Sequence, residues 1–408
     1  MEITMKSIKD IYKIGKGPSS SHTMGPAKAM KLFAKENPDA ESFEVILYGS
    51  LSDTGKGHGT DIAIAGVAGK PVNIIFDKKN RVLPHENTMD IYTVRDGKRD
   101  KLSLMRVMSV GGGDIEIEDR PISTIDDVYA ESTFAEIAEI CRRENKRLSD
   151  YVYEREGEAI TEFLAKVWRT MQAAVDDGLA ASGILPGGLE VQRKAKELFT
   201  SAKDTGNPAL KRTKIVSAYA YAVGEQNADN GTIVTAPTCG ACAVLPAVLT
   251  YMHRDMGYPE EKIFRGLAVA GLVGNLTKTN ASISGAECGC QAEVGTACAM
   301  AAAALGEIWD EDIDKIEYAA EMAFEHFLGL TCDPISGLVQ IPCIERNAVA
   351  AMRAINATEL SGLLTGSRKI SLDLVIKTMY ETGKDLSHLY RETSAGGLAK
   401  LYHTRGRD

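Results

Sequence analysis

From residue 208 to the end of the chain the apolar spacing is almost continuously helical, and it breaks in three places, near 231–237, 282–285 and 331–342. Those breaks, more than the helices, limit what the chain can be. They hold or adjoin most of its thiols, since seven of the eight cysteines lie between residues 239 and 343. A helix bundle whose interruptions carry ligands is one way to build a metal site. The densest stretch, residues 281–295, reads Ala-Ser-Ile-Ser-Gly-Ala-Glu-Cys-Gly-Cys-Gln-Ala-Glu-Val-Gly. It sets Glu287, Cys288, Cys290 and Glu293 within seven residues.

At 408 residues the chain is too long for one ordinary core, so two domains are expected. Strand-like runs at 43–48, 71–76 and 102–117 crowd the first part, the last with Gly111-Gly-Gly113 as a bulge or turn. Helical spacing takes over at 134–141 and 148–175. The expected fold class is an α+β N-terminal domain over residues 1–150, followed by an all-α helical domain over 151–408. A net charge of −9 argues against nucleic acid as a partner. The apolar runs near 264–274 and 297–305 are too short to span a bilayer, so no membrane role is expected. No charged segment followed by an apolar one opens the chain, which predicts a cytoplasmic protein. In that compartment cysteines serve more often as thiols or metal ligands than as disulfides.

Two polar loops stand out in the first domain. Residues 15–26 read Gly-Lys-Gly-Pro-Ser-Ser-Ser-His-Thr-Met-Gly-Pro, placing hydroxyls and free backbone N–H groups at the start of a helix near Pro26. Such a terminus favours a carboxylate or phosphate. Residues 49–61 form a second glycine-rich loop that carries Lys56 and His58 but lacks the spacing of a phosphate-binding P-loop. His22 and His58, each in a polar loop, point to a shared site.

The cysteines leave several readings open. Cys141 falls in an amphipathic helical run and Cys298 in an alanine-rich one, where a thiol acts as a small apolar group. Cys239-Gly-Ala-Cys242 with Cys288-Gly-Cys290 is compatible with a tetrahedral zinc site. Cys290, Cys332 and Cys343, which lie in or beside the breaks, are compatible with an iron–sulfur cluster whose remaining iron has no protein ligand. A redox pair at Cys239 and Cys242 is a third arrangement, although no thioredoxin-like pattern surrounds it.

Taken together, residues 17–26, 48–58, 280–295, 332–347 and Glu392-Thr-Ser-Ala-Gly-Gly-Leu-Ala399 resemble the iron–sulfur-dependent L-serine dehydratases. The matching segments run in the family's order along the chain. The resemblance implies a [4Fe–4S] cluster held by Cys290, Cys332 and Cys343, and an active site where the serine–histidine loop meets it. It also implies L-serine as a small-molecule substrate; a homodimer is the expected assembly. Three departures accompany it. Cys239 and Cys242 are extra thiols where the family has Thr-Ala-Pro-Thr-Asn-Gly, and Cys288 replaces a valine and competes for the ligand role. The tail, Leu401-Tyr-His-Thr-Arg-Gly-Arg-Asp408, has no cysteine to inhibit the cluster.

Dehydrating serine requires removal of a weakly acidic α-proton and loss of a poor leaving group. The open iron is expected to act as a Lewis acid. Ser19, Ser20, Ser21 and Thr23 are the expected carboxylate cradle, and His22 or His58 the proton carrier. Lys278, as a further catalytic candidate, and Asn280, as a substrate contact, precede the central motif. Threonine or cysteine as substrate is the nearest alternative, because one methyl group or sulfur changes a pocket little. A zinc-structured, amino-acid-sensing module and a disulfide oxidoreductase at Cys239/Cys242 are the rivals of other classes.

Overall fold

The computed structural model describes residues 4–80, 82–120, 125–364 and 368–404. The last residues of the tail, 405–408, lie outside them, and with them part of the expectation about a C-terminal thiol.

The N-terminal region is built on one six-stranded sheet. Its path runs Val72–Phe76, Ser42–Leu47, Thr88–Arg95, Met105–Gly111, Asp114–Ile117, with Lys98–Arg99 paired beside Thr88–Arg95. Ser42–Leu47 and Val72–Phe76 are parallel and the remaining pairs antiparallel. Period-two alternation drives the outer strands: Met105, Val107 and Ser109 are buried and their neighbours are less so. Phe43, Val45, Leu47, Ile91 and Val107 pack under the helices Gly25–Glu36 and Thr60–Ala68. The sequence pattern does not reveal Thr88–Arg95, which lies mid-sheet. Polar Thr88, Asp90 and Thr93 interrupt its apolar run, yet all three are buried. Asp90 is tolerated there because Arg106 grips both its oxygens, at 2.7 and 2.9 Å.

Gly111, Gly112 and Gly113 all take positive φ, at 97°, 58° and 79°, and make the turn between the last two strands. Only glycine adopts three such conformations in succession without strain. Residues 49–61, expected as a loop, begin with a helical turn, Gly49–Thr54, before a glycine-rich bend ending at Gly59. Glycine content there marks close approaches rather than an irregular path.

Helices dominate the rest. Glu260–Asn280 and the alanine-rich Thr296–Ile308 lie at the centre of the large core. Small residues let these backbones come close: a Cβ on Gly266 would sit 3.2 Å from the Ala304 carbonyl oxygen. The long helical run expected over 148–175 is divided at Gly157, with φ of 75°, into Leu148–Glu156 and Ala159–Ala180. One short strand, Thr232–Val234, occupies the first expected break and pairs with Ile14–Lys16.

That pairing matters for the site. The chain begins on the helical body: Met5, Ile8, Ile11 and Tyr12 are buried in the large core, and the Tyr12 hydroxyl donates to the Leu267 carbonyl at 2.7 Å. It crosses to the sheet only through residues 17–25. The serine–histidine turn therefore sits at the junction of the two cores. No helix among the described residues is long and apolar enough to cross a membrane.

Helices Ala159–Ala180 and Pro208–Ala228 touch at Gly178, where an added Cβ would lie 2.2 Å from the Ala222 carbonyl oxygen. Gly178→Ala is expected to cost about 1–3 kcal/mol in denaturant unfolding, because the helices must part. Gly206→Ala, with nothing near the added methyl, should leave the midpoint within about 0.5 kcal/mol of wild type.

Candidate active site

Ser19 is extended, and its hydroxyl accepts from the His22 amide at 3.1 Å. Ser20–Met24 then winds as one wide turn directly into the helix Gly25–Glu36. This caps a helix N-terminus with hydroxyls, as the motif predicts. Ser19, Ser20, Ser21, His22 and Thr23 are all buried. Thr23 reaches the second loop, its hydroxyl donating to the His58 carbonyl at 2.9 Å. His22 and His58 stack with ring centroids 4.4 Å apart.

The proton positions of both histidines follow from their partners. His58 Nδ1 lies 3.0 Å from the Thr54 carbonyl, which only accepts, so Nδ1 carries the hydrogen. Nε2 is then the basic nitrogen; it is buried and has no hydrogen-bond partner among the described residues. Ser50 donates to the Glu392 carbonyl at 3.0 Å, so its hydroxyl oxygen accepts from His22 Nε2, also at 3.0 Å. His22 Nδ1 is left to accept from Ser21 at 2.9 Å. Both lone pairs look towards one carboxyl: Glu392 Oε1 is 3.5 Å from His22 Nδ1 and 3.8 Å from His58 Nε2. Burial pushes the His58 pKa down to about 4 and that of His22 well below its ordinary value, the neighbouring imidazole adding to the latter. Both rings are neutral near pH 7. Burial pushes Glu392 up to about 8, with Cys290 adding to the effect.

Glu392 arrives on a strap that follows the helical turn His388–Tyr390. The Cys332 amide donates to the Tyr390 carbonyl at 2.7 Å, and the Glu392 amide donates to the Cys332 carbonyl at 2.8 Å. Glu392 itself takes φ of 58°, a left-handed conformation that a glutamate adopts at some cost. The strap thus joins the histidine pair to the thiols.

Cys290 follows the turn at 285–288, and Cys332 and Cys343 lie in and at the end of the break before the helix Cys343–Leu363. Cys343 opens the helix Cys343–Leu363, where the helix terminus favours a thiolate. Gly289 makes the Cys-Gly-Cys turn possible: its φ is 76°, and a Cβ there would lie 2.9 Å from the Leu330 carbonyl oxygen. The turn sends the two neighbouring cysteines different ways. Cys288 packs against Gly383, whose added Cβ would be 2.7 Å from its sulfur. Cys290 faces Cys332, whose thiol hydrogen bond pulls its pKa down to about 6 against the opposing effect of burial, with Arg346 helping. Burial raises Cys343. Beside them lies Glu293, raised well above its ordinary value by burial and by Glu392, its carboxylate accepting from Thr238 at 2.7 Å. The Gly285 backbone fits between: a Cβ there would be 2.6 Å from a Glu293 oxygen and 3.2 Å from the Cys332 sulfur. An open cleft of about 370 Å³ approaches His58 from outside, bounded by Pro18, Lys56, Ile62, Gly187 and Leu338.

The structure brings together Ser19 to Thr23, His58 and, across Glu392, the three cysteines. Lys278 and Asn280 make their contacts elsewhere. Lys278 Nζ binds Asp10 and Asp114, each at 2.5 Å, and Lys13 completes the group. Burial works to lower the Lys278 pKa, but the two carboxylates outweigh it and leave it raised. Asn280 donates to the Leu276 and Ser132 carbonyls at 2.9 and 2.7 Å. Cys239 lies 3.4 Å from the Met24 sulfur, and Cys298 donates to the Ala350 carbonyl. The sequence reading gives no role to Glu392, Glu293, Arg346 or Ser50. Glu293 and Arg346 stand inside the cysteine motifs, so proximity could have found them. Glu392 is more than three hundred residues from either histidine, and although it opens one of the matching segments, nothing local joins it to the histidines.

Lys278→Met leaves Asp10 with Lys13 alone and Asp114 with Lys13 and the more exposed Lys28, and is expected to lower stability by roughly 2–4 kcal/mol in chemical denaturation. Acid should weaken the fold through His58. An unfolded histidine takes up its proton near pH 6.5, whereas His58 resists protonation until about pH 4, so stability falls as pH drops between those values. From pH 7 to pH 5 this contribution is about 2 kcal/mol, and His58→Gln should lose correspondingly less stability over that interval.

Comparison with known proteins agrees with the resemblance. The family described as serine dehydratase alpha chain matches residues 123–399, and serine dehydratase beta chain matches residues 7–73. The chain is 42% identical to an L-serine dehydratase of Haemophilus influenzae, covering 97% of this chain and 99% of that one. It is 40% identical to L-serine dehydratase 1 of Escherichia coli, over 97% and 99%. An L-serine dehydratase of Streptomyces coelicolor is 40% identical over 96% and 98%. Matched by both family descriptions and alike over nearly its full length to these relatives, the chain belongs to the serine dehydratase family.

Proposed function

We propose that the protein is an L-serine dehydratase, converting L-serine to pyruvate and ammonia, with a [4Fe–4S] cluster held by Cys290, Cys332 and Cys343. One observation carries this reading: thiols of the Cys290 turn, the Cys332 loop and the start of the Cys343 helix converge beside a neutral histidine pair, joined through Glu392. The donor set fits such a cluster, since Cys290 and Cys332 are buried and Cys343 half-buried, the three come from separate segments, and one is already disposed to ionise. When bound, the cluster supplies a Lewis acid for the departing hydroxyl.

The chain's own residues supply the rest. Ser19, Ser20, Ser21 and Thr23, with the N–H groups of the helix start, form a cradle for the substrate carboxylate. His58 Nε2 is the base for the α-proton: it is neutral, its lone pair is unpartnered, and the Thr54 carbonyl fixes its tautomer. His22 has its own lone pair engaged by Ser21 and positions the group. Glu392, protonated at neutral pH and 3.8 Å from His58 Nε2, is the nearest acid to return a proton to the departing hydroxyl, which leaves as water. The aminoacrylate formed tautomerises and hydrolyses to pyruvate and ammonia. Burial of every group keeps bulk water from competing for these protons.

Anaerobic purification with iron and sulfide assay, followed by L-serine, L-threonine and L-cysteine in turn, tests the reading. About four irons per chain, absorption near ~400 nm and pyruvate from serine are expected. Serine converted no faster than threonine or cysteine would reassign the substrate. Cys290→Ser, Cys332→Ser and Cys343→Ser should each lose the cluster, while Cys288→Ser keeps it. His58→Gln should lower kcat by roughly 10²–10⁴ with iron content unchanged. A colourless protein holding zinc and making no pyruvate would overturn the assignment.

A further inference from the structure

Arg346 stands one helical turn after Cys343 on the same helix, so its side chain returns over the thiols. Nη1 donates to the Thr331 carbonyl at 2.6 Å, and Nη2 to Asp333 Oδ1 at 3.3 Å. These two acceptors flank Cys332 in sequence. Asp333 is itself anchored: Oδ1 accepts from Thr331 Oγ1 at 3.1 Å and Oδ2 from the Leu398 amide at 2.7 Å. The guanidinium also lies against the Cys290 sulfur and faces Cys343 and Cys332. One planar cation therefore touches all three segments that supply the thiols. Lysine, a single point charge, could not hold both acceptors in the same fork.

The surroundings make that charge significant. Besides Asp333, already paired with Arg346, the ionisable groups beside the thiols are the acids Glu293 and Glu392, whose desolvation favours their neutral forms. Three thiolates outweigh the positive charge of an oxidised cluster core, so the assembled centre is anionic. In a water-excluded site such charge is screened little.

We propose that Arg346 is the positioning and charge-balancing residue of the cysteine centre: it ties the Cys332 loop and the Cys290 turn to the Cys343 helix, and its guanidinium offsets the anionic cluster. This rests on the cluster reading above. Its consequence is a property of the cluster itself, separate from turnover. Without the cation, adding an electron is harder, so the reduction potential moves negative, and the metal is held less firmly.

The test uses anaerobically reconstituted full-length protein: wild type, Arg346→Met and Arg346→Lys, with folding checked by circular dichroism. The midpoint potential and the rate of iron release to a chelator are measured without substrate. Arg346→Met is expected to shift the potential negative and release iron roughly 10- to 100-fold faster. Arg346→Lys keeps the charge but not the fork, so its potential should stay near wild type while release quickens. If Arg346→Met takes up too little cluster to titrate, iron uptake decides. Uptake restored by lysine supports the charge role, and failure of both folded variants overturns it. A wild-type cluster whose potential and release are unmoved in Arg346→Met sinks this inference alone. A wild-type chain that takes up no cluster removes the functional reading and this one together.

Discussion

Two backbone hydrogen bonds hold the site together: the Cys332 amide to the Tyr390 carbonyl, and the Glu392 amide to the Cys332 carbonyl. They are short, buried and reciprocal, like one rung of a parallel ladder. Through them a cysteine-bearing break of the helical body carries the strap that sets Glu392 against both His22 and His58. The strap is secured again further on, where Ser394 donates to the Pro334 carbonyl at 2.6 Å and Asp333 accepts from the Leu398 amide. Left-handed backbone at Glu392 and Ser394 persists only because these bonds over-determine it.

Close backbone approach does for the His58 loop what hydrogen bonding does for the strap. A Cβ on Gly57 would lie 2.6 Å from the Ser336 carbonyl oxygen, and one on Gly337 would meet Thr54 at 3.0 Å. The glycines let the histidine loop rest directly on the loop that follows Cys332. The serine turn, the His58 bend and the cysteine loop thus form one contact surface, drawn from both cores. Displacing any one would move the proposed base relative to the thiols, and small displacements at such a site are costly.

Burial then sets the charges. Desolvation lowers both histidines and raises Glu293 and Glu392, so the neutral form of each is favoured. Against that trend Cys290 goes down, because a thiol donor and a guanidinium outweigh its burial. A site with neutral bases, protonated acids and one readily ionised thiol is suited to moving protons at neutral pH and to binding a metal group. It is a poor place for a free charge, and Arg346 is accordingly tied to the Thr331 carbonyl and Asp333.

The serine–histidine turn, the three breaks and four of the six strands of the main sheet were legible in the sequence, because local chemistry dictates them. Hydroxyls cap helices, glycines permit left-handed turns, and period-two patterns make strands wherever one face is buried. Thr88–Arg95 escaped that logic, since a mid-sheet strand can bury polar residues once partners such as Arg106 satisfy them. The choice among the cysteines also escaped it. Spacing cannot tell that Gly289 turns Cys288 towards Gly383 and Cys290 towards Cys332. Lys278 carried the right chemistry in the right neighbourhood, yet its position was decided by Asp10 and Asp114, from two distant segments. Glu392 shows the same limit most plainly, for its partners are set by which loops pack together. Sequence by itself determined which groups this protein has for its chemistry and which local turns present them; only the tertiary structure decided which of them meet, because contacts between distant segments depend on the packing of the whole chain.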